Sequence, residues 1–474
     1  MEINKTIKKK RIFEKFVHFF TKIKNRLKAF IQRFIKGSFP LKMSHFIMGF
    51  SNYYYKQIVK GLIYSVIQVV FILFMVISPE VNKTPLGAKA IVNFFTLGTE
   101  VGDLALGIPT DNSILMLLFG VVTFGIIFMF IFAYLSNLKS AEKVELDVLA
   151  QKKPASFKED IKELLDSRFH ITMLTPAIIG IILFTVLPTI FMILIAFTNF
   201  DQDHPFGLTL VDWVGFKNFV GLFSGGGEIS VRFLPVLSWT LIWAFFATFT
   251  NYIGGILLAL LLNKKDIKLK KLWRTVFVLT IALPQFVTLL AVRNILSEHG
   301  PFNSMLISLG ILSEPIKFLA TANNPWTARI SIILINIWIG VPYTMLMTSG
   351  ILMNVPKDLY EAAEIDGATK RQAFMKITVP YIIFITTPYL ITSFIGNITS
   401  FNVIYLLTGG YPVVPGYKAG QTDLLVTWLY RLTIEESMYS IGSVVGILTF
   451  IITALGTLLS YRKSRAYKEE DVFQ

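Results

Sequence analysis

The sequence contains no cysteine. Disulfide scaffolds and thiolate metal sites are excluded, and the redox compartment cannot be read from this chain. Histidine is scarce. His18, His45, His170, His204 and His299 are scattered without metal-ligand spacing and read as isolated polar residues in loops or at helix ends. Only 16% of the 474 residues are charged, and Asp and Glu are almost missing from the long apolar runs. No G-x-x-x-x-G-K-S/T phosphate loop occurs, so the chain cannot hydrolyse ATP in the P-loop manner. There is no fixed-period repeat and no low-complexity tract. The first strongly apolar run starts only near Leu62, so no cleaved signal peptide is expected.

What is present is apolar. Hydrophobic residues make up 54% of the chain, Phe alone occurs 42 times, and the mean hydropathy is +0.61. Soluble domains seldom look like this. Runs of about 20 apolar residues recur, each long enough to cross a bilayer. Backbone groups in lipid must be satisfied within the segment, so the spans are helical. The short alternating segments of a β-barrel are absent. The expected class is an all-α polytopic membrane protein with about eight spans, near 62–78, 113–135, 171–198, 235–262, 273–296, 327–353, 378–407 and 438–461.

Basic residues set the orientation, because they collect in cytoplasmic loops. They are dense before residue 60, over 136–170, over 263–274, over 354–380 and after 461, and sparse in the intervening loops. The alternation is unbroken, so both termini are expected in the cytoplasm of a bacterial cell membrane. The net charge of +15 is mostly this topology signal. No nucleic-acid motif accompanies it. In the first 36 residues, Ile12, Phe13, Phe16, Phe20, Ile23, Leu27, Phe30, Ile31 and Phe34 recur at helical spacing among Lys and Arg. A basic amphipathic helix on the anionic inner leaflet is expected there, with a floppy basic tail as the alternative.

One polar segment, YEAAEIDGATKRQAFMKITVP (360–380), interrupts two apolar runs. Asn354 and Pro356 can open a helix, with Pro in its first turn. Asp358 and Glu361 lie near its positive end. Gly367 stops it. Thr369 and Gln372 fit a capping box for a second helix, and Pro380 marks the entry to the next span. The segment reads as two short helices on the cytoplasmic face. Small Ala362 and Ala363 would let another surface approach closely.

Glu361-Ala362-Ala363, three residues, Gly367, nine residues, Ile377, one residue, then Val379-Pro380: this spacing resembles the EAA loop of ATP-binding-cassette (ABC) importer permeases. The one departure is Val379, where Leu is usual. LTPAIIGIILFTVLPTIFMILIAFTNF (174–200), NIWIGVPYTMLMTSGILMNVPKDLYEAAEIDGA (336–368) and GGYPVVPGYKAGQTDLLVTWLYR (409–431) resemble the carbohydrate branch of that family, of the MalF maltose/maltodextrin type. The match is weakest over the first 60 residues, and a large domain between the third and fourth spans is missing. Shorter maltodextrin permeases fit better.

The resemblance implies a domain order. A basic region (1–60) precedes two additional spans and a linker (61–170), a six-helix permease core (171–461) with coupling loop 354–380, and a tail (462–474). It implies that Glu361, Ala362, Ala363, Asp366 and Gly367 couple to a separate ATPase. It also implies that sugar sits mid-membrane against Trp338, Ile339, Gly340 and Tyr343, and against Ser393, Gly396, Asn397 and Ser400. Aromatic rings stack on sugar faces, and Ser and Asn offer donors and acceptors to hydroxyls. Ser393, Asn397 and Ser400 are expected on one helical face, at i, i+4 and i+7. Ser393 and Ser400 serve equally well as interhelical packing contacts. Gly396 and Ser400 depart from the pattern and leave the sugar open. Asn336 and Asn402 read as packing or gating residues, and Gly442 with Gly446 as a weak packing motif.

The implied partners are a second homologous permease (MalG-like), two ATPase subunits (MalK-like), an extracytoplasmic sugar-binding protein, the oligosaccharide and the bilayer. No cofactor is implied for this chain, since ATP and Mg would act on the ATPase. The expected role is transport, not enzymatic. Maltodextrin comes first as substrate, and galacto-oligosaccharides or other α-glucosides are the alternatives. An ion-coupled secondary transporter would need titratable residues within the spans. A membrane enzyme would need paired carboxylates or metal ligands at a membrane face. Only Glu361, Glu364 and Asp366 cluster in that way.

Overall fold

The computed structural model describes residues 21, 31, 34–102, 110–205, 207–224, 227, 229–264, 267–319, 324–413 and 418–463. The amphipathic helix expected over Ile12 to Phe34 lies outside these residues, except for Ile31 and Phe34.

Among the described residues seven helices are long and apolar enough to cross a membrane, and a bent pair, taken as one span, brings the count to eight. In chain order they are span 1 (Ile58–Ile77), span 2 (Ser113–Leu149), span 3 (Phe169–Ile195), span 4 (Ser230–Asn263), span 5 (Lys270–Ala282 with Gln285–Ile295), span 6 (Pro325–Met353), span 7 (Lys370–Ile398) and span 8 (Tyr439–Arg462). Spans 2, 5 and 7 differ most from those expected. Span 2 does not end near 135. It runs on as helix to Leu149, because Lys139, Glu142, Lys143 and Glu145 are good helix formers. Span 5 is not straight. Its halves meet at 95°, because Leu283 is held extended (φ −79°, ψ 134°) ahead of Pro284. Span 7 stops at Ile398 rather than 407, and a separate helix, Asn402–Leu407, follows. Its start lies ten residues before Pro380, for a reason shared with span 3.

In spans 3 and 7 the helix passes through a proline by widening first. Span 3 contains a π turn at Ile182–Val186 and then Pro188, and span 7 one at Phe374–Thr378 and then Pro380. Proline cannot donate a hydrogen bond, and its ring crowds the carbonyl four residues back. In both spans the preceding residue, Leu187 or Val379, donates instead to the carbonyl five back, of Ile182 or Phe374.

The chain forms two compact units, 1–192 with 204–212 and 193–203 with 213–474. The division falls inside span 3, whereas the sequence reading begins the six-helix core at 171. In the first unit, Phe71 of span 1 stacks on Phe130 of span 2 at 3.8 Å. The buried Asn137 side chain accepts from the Gly49 N–H (2.8 Å) and donates to the Ser44 carbonyl (3.0 Å). Glu80–Val81 pairs antiparallel with Thr84–Pro85 in a small hairpin after span 1. Ser156 and Glu159 close a capping box on the helix Phe157–Leu165.

In the second unit, spans 4 and 6 pack backbone to backbone. A Cβ on Gly254 would lie 2.8 Å from the Val341 side chain. One on Gly255 would overlap the Thr344 side chain and lie 2.9 Å from the Met345 nitrogen. One on Gly340 would overlap Asn251. Small residues permit such approach in membranes. Above this seam Trp239, Trp243, Leu289, Ile332, Ile339 and Ile404 form a buried cluster. Gly255→Val should therefore destabilise the purified chain by about 1–3 kcal/mol, the usual cost of overpacking. Gly350→Ala, with nothing within 4 Å, should not. Melting temperatures of the two variants in detergent check this.

Candidate functional site

The loop helix covers Lys357–Ile365, with Pro356 as its N-cap and Asp358 in its first turn. Its end is closed by two backbone bonds, from Ala368 N–H to the Ala363 carbonyl (2.8 Å) and from Gly367 N–H to the Glu364 carbonyl (3.0 Å). This is a Schellman cap, and it requires the left-handed φ of +73° found at Gly367. Glu361, Ala362, Asp366 and Gly367 are exposed, and Ala363 is half-buried. The capping box from Thr369 to Gln372 forms as the sequence suggests. The second helix of the loop is not separate, however. Lys370–Ala373 runs without a break into span 7. The loop is therefore one free helix and the first turns of a span.

Two tyrosines, neither assigned a role from the sequence, fasten the loop: Tyr360 ties the free helix to span 7, and Tyr381 ties the end of span 6 to span 7. The Tyr360 hydroxyl lies 2.7 Å from the Thr378 hydroxyl, which is buried in the π turn of span 7. The Tyr381 hydroxyl donates to the Asn354 carbonyl at 3.4 Å. A half-buried aromatic amid exposed charges was the available signal for Tyr360.

The eight residues expected to hold sugar lie on spans 6 and 7 and in the break after span 7. Trp338 is 51% exposed and Tyr343 47% exposed. Ile339 is buried in the cluster with Trp243 and Ile404, and Gly340 faces Asn251 of span 4. Asn397 donates one amide N–H to the Thr248 hydroxyl of span 4 at 2.9 Å. Among the described residues its side-chain carbonyl oxygen accepts no hydrogen bond, which leaves that oxygen for a hydroxyl donor. Gly396 is exposed, with nothing within 4 Å of a Cβ placed there. Ser393 and Ser400 are half-exposed.

One part of the expected geometry needs correcting. Ser400 does not share a helical face with Ser393 and Asn397, because Thr399 leaves helical geometry (φ −101°, ψ 20°) and ends the helix at Ile398. Among the described residues, no side-chain hydrogen bond joins Trp338 or Tyr343 to Ser393, Asn397 or Ser400. The hydroxyls of Thr344 on span 6 and Tyr389 on span 7 lie 3.3 Å apart and link the two spans.

Asn251 escaped the sequence reading. Its Oδ1 and the Nδ2 of Asn336 are buried without a partner among the described residues. They lie on the facing spans 4 and 6, so each offers what the other lacks. Among the described residues no group of three His, Asp or Glu stands close enough to hold a metal ion.

The loop between spans 7 and 8 folds inward. Asp423 is 1% exposed and takes three donors: the Arg431 guanidinium (3.1 Å), the Gly420 N–H (2.7 Å) and the Thr427 hydroxyl (2.9 Å). Arg431 also donates to the Gly409 carbonyl (2.6 Å) and to Glu435 (2.8 Å). Burial alone would lower the Arg431 pKa, but Asp423 and Glu435 hold it above its ordinary value. Spans 4 and 6 clamp the loop from outside. Trp239 donates to the Thr422 carbonyl (3.1 Å), and Arg329 donates to that of Gln421 (2.8 Å) while lying over the Trp239 ring.

Residues 251–465 match the model of the family described as "Binding-protein-dependent transport system inner membrane component". The galactooligosaccharides transport system permease protein GanP of Bacillus subtilis (strain 168) is 34% identical over 426 residues, covering 90% of this chain and 97% of GanP. The maltodextrin transport system permease protein MalC of Streptococcus pneumoniae serotype 4 is 34% identical over 434 residues, covering 90% of this chain and 96% of MalC. Among solved structures, a chain of the bacterial alginate ABC transporter, in complex with its alginate pentasaccharide-bound periplasmic protein, aligns with a TM-score of 0.52. That alignment has 25% identity and covers 65% of this chain and 97% of the other.

Proposed function

The chain belongs to the MalF-like sugar permeases of the ABC importers, multi-pass proteins of the cytoplasmic membrane, and from that premise we propose that it carries a neutral oligosaccharide, maltodextrin first, into the cell by alternating access. The observation that carries the choice of a neutral sugar is an absence of charge. Residues 331–353 and 379–400, which frame Trp338, Tyr343 and Asn397, contain no Asp, Glu, Lys, Arg or His. A charged sugar would meet no counter-ion there, at high cost in a low-dielectric setting. Trp338 and Tyr343 would stack on sugar faces, and the Asn397 carbonyl would accept from a hydroxyl. Gly396 would leave room beside them. Ile339 and Gly340 would shape the wall from behind, through packing.

The remaining parts are proposals too. A binding protein would deliver the sugar to the outer face. A second permease would complete the cavity, and two ATPase subunits would use ATP and Mg. Glu361, Ala362, Ala363, Asp366 and Gly367 would seat in an ATPase cleft. Closure of the ATPase pair would draw the loop helices together and open the cavity outward, and hydrolysis would let it return.

The test is uptake by the reconstituted complex over a panel of maltodextrins and galacto-oligosaccharides. Maltodextrin should be taken up, and Asn397→Ala should lower its kcat/KM by about 2–10-fold, the net worth of one hydrogen bond. Trp338→Ala should lower it by about tenfold or more. Unchanged kcat/KM in both variants would sink the pocket assignment. The GanP similarity supports one second reading, a galacto-oligosaccharide substrate. Uptake of those sugars alone from the panel would establish it.

A further inference from the structure

A cleft in the first unit has no part in the proposed sugar path. It holds about 430 Å³ and lies where spans 1 and 2 leave the membrane on the side that charge assigns to the cytoplasm. Span 1 contributes Lys60, Ile63 and Tyr64 from its first two turns. Span 2 contributes Ser136, Lys139 and Lys143, just where its apolar run gives way to charge. The Tyr64 and Ser136 hydroxyls, 3.2 Å apart, join the two walls. A second cleft of about 400 Å³ adjoins it, shares Lys60, Phe157 and Asp160, and adds Lys56 and Lys153. Its floor is held by Gln57, which is buried and donates to the Ala155 carbonyl at 2.7 Å.

The third wall is the capped helix Phe157–Leu165. Phe157, Ile161 and Leu164 form an apolar stripe along it at i, i+4 and i+7, and all three line the cleft while staying exposed. Apolar side chains therefore stand beside a ring of cations at the apolar–polar boundary of two spans. Soluble partners seldom need that combination. A membrane-surface helix does.

The charge does not balance. Across the two clefts six cations, Lys56, Lys60, Lys139, Lys143, Lys153 and Arg168, face two carboxylates, Asp160 and Glu163. Lys60 pairs with Asp160 (3.1 Å), and Glu163 takes both Lys143 (3.0 Å) and Arg168 (2.9 Å). The Lys143 hydrogen bond, with help from Arg168 and Lys60, keeps the Glu163 carboxyl below its ordinary pKa and therefore charged. Among the described residues no carboxylate pairs with Lys56, Lys139 or Lys153. The chain's own N-terminal segment is itself basic and is a poor match for these lysines.

We propose that the two adjoining clefts together hold one anionic phospholipid of the adjoining leaflet. Its phosphate would meet Lys56, Lys139 and Lys153, and its upper acyl carbons would lie along Ile63, Phe157, Ile161 and Leu164. Basic pockets between spans on that side of a membrane recognise lipid headgroups in this way.

Native mass spectrometry of the full chain in mild detergent tests this, with phosphatidylglycerol titrated against phosphatidylcholine. The first phosphatidylglycerol should bind at least about tenfold more tightly than phosphatidylcholine, a modest fraction of what three lysines can supply at a membrane surface. Lys139→Glu with Lys153→Glu should bring the ratio to within about twofold of unity. Lys139→Gln with Lys153→Gln, a milder pair, should lower the ratio part-way and covers the case where the double reversal misfolds. Lys162→Glu, exposed on the same helix but outside the cleft lining, should leave it unchanged. Equal retention of both lipids by the parent chain would overturn the proposal. So would a Lys162→Glu variant that loses the preference as fully as the cleft variants, since diffuse surface attraction would then explain it. Binding of a polyglutamate peptide that Lys139→Glu abolishes, without any lipid preference, would replace the lipid with an acidic protein partner.

Discussion

Glu361→Lys should cut ATP-driven sugar uptake on the order of 100-fold, while the amount of chain in the membrane stays the same. The two halves of that outcome have separate causes. Glu361 is exposed on the free face of the loop helix and makes no ion pair or side-chain hydrogen bond among the described residues. Reversing it therefore removes nothing that holds this chain together, and surface substitutions of that kind usually stay within about 0.5 kcal/mol. In the proposed assembly the same carboxylate sits against a partner. Losing one member of a buried charge pair costs about 2–5 kcal/mol, and each 1.4 kcal/mol is tenfold. Uptake into vesicles, normalised to the permease in the membrane, gives the answer. ATPase activity of the assembled complex should lose its stimulation by sugar-loaded binding protein at the same time. Wild-type uptake in Glu361→Lys would remove the loop from the coupling path.

The second large effect lies on the opposite side of the core. Arg431→Met should destabilise the chain by about 3–5 kcal/mol, because it leaves the carboxylate of Asp423 buried without its cation. The Gly420 and Thr427 donors would remain, but they cannot neutralise the charge. Unfolding of membrane proteins is often irreversible, so the measurement is the half-time of heat inactivation in detergent. Replacing both partners, Asp423→Leu with Arg431→Met, should recover much of the loss, since apolar groups of similar volume tolerate burial. Glu435→Gln should cost no more than about 1 kcal/mol, because Glu435 is 45% exposed and solvent screens its pairing. An Arg431→Met chain as durable as the parent would mean that the loop folds without its ion pair.

Much of this structure is legible in the sequence wherever the signal is local. The apolar runs predict the spans, and Thr369 with Gln372 predicts a cap that forms as expected. Gly367 predicts a left-handed stop, and φ of +73° provides one. Proline is where local rules fail. Pro176, Pro235, Pro342 and Pro388 lie inside helices that continue, whereas Pro284 breaks one by 95°. All five sit in apolar stretches, and only the packing around each decides between a kink and a corner. The same holds for Ser400. A repeat of i, i+4 and i+7 predicts a shared face, but only while the helix lasts, and Thr399 ends it. Asn251 and Asp423 were invisible for another reason. Each matters through packing distant in the chain: Asn251 against Gly340, and the buried Asp423–Arg431 pair under a loop that Trp239 clamps.

The uninterrupted helix from Lys370 to Ile398 has a mechanical consequence. At about 1.5 Å per residue its 29 residues make a rod of about 43 Å. The Tyr360–Thr378 bond grips that rod near one end, and Asn397 sits at the other. Thr378 and Asn397 lie about 28 Å apart along the rod, so each degree of tilt about the gripped point moves the Asn397 end by about 0.5 Å. A lever of this kind amplifies displacement. A tilt of about six degrees imposed at the loop helix would arrive at Asn397 as a movement comparable with the length of a hydrogen bond.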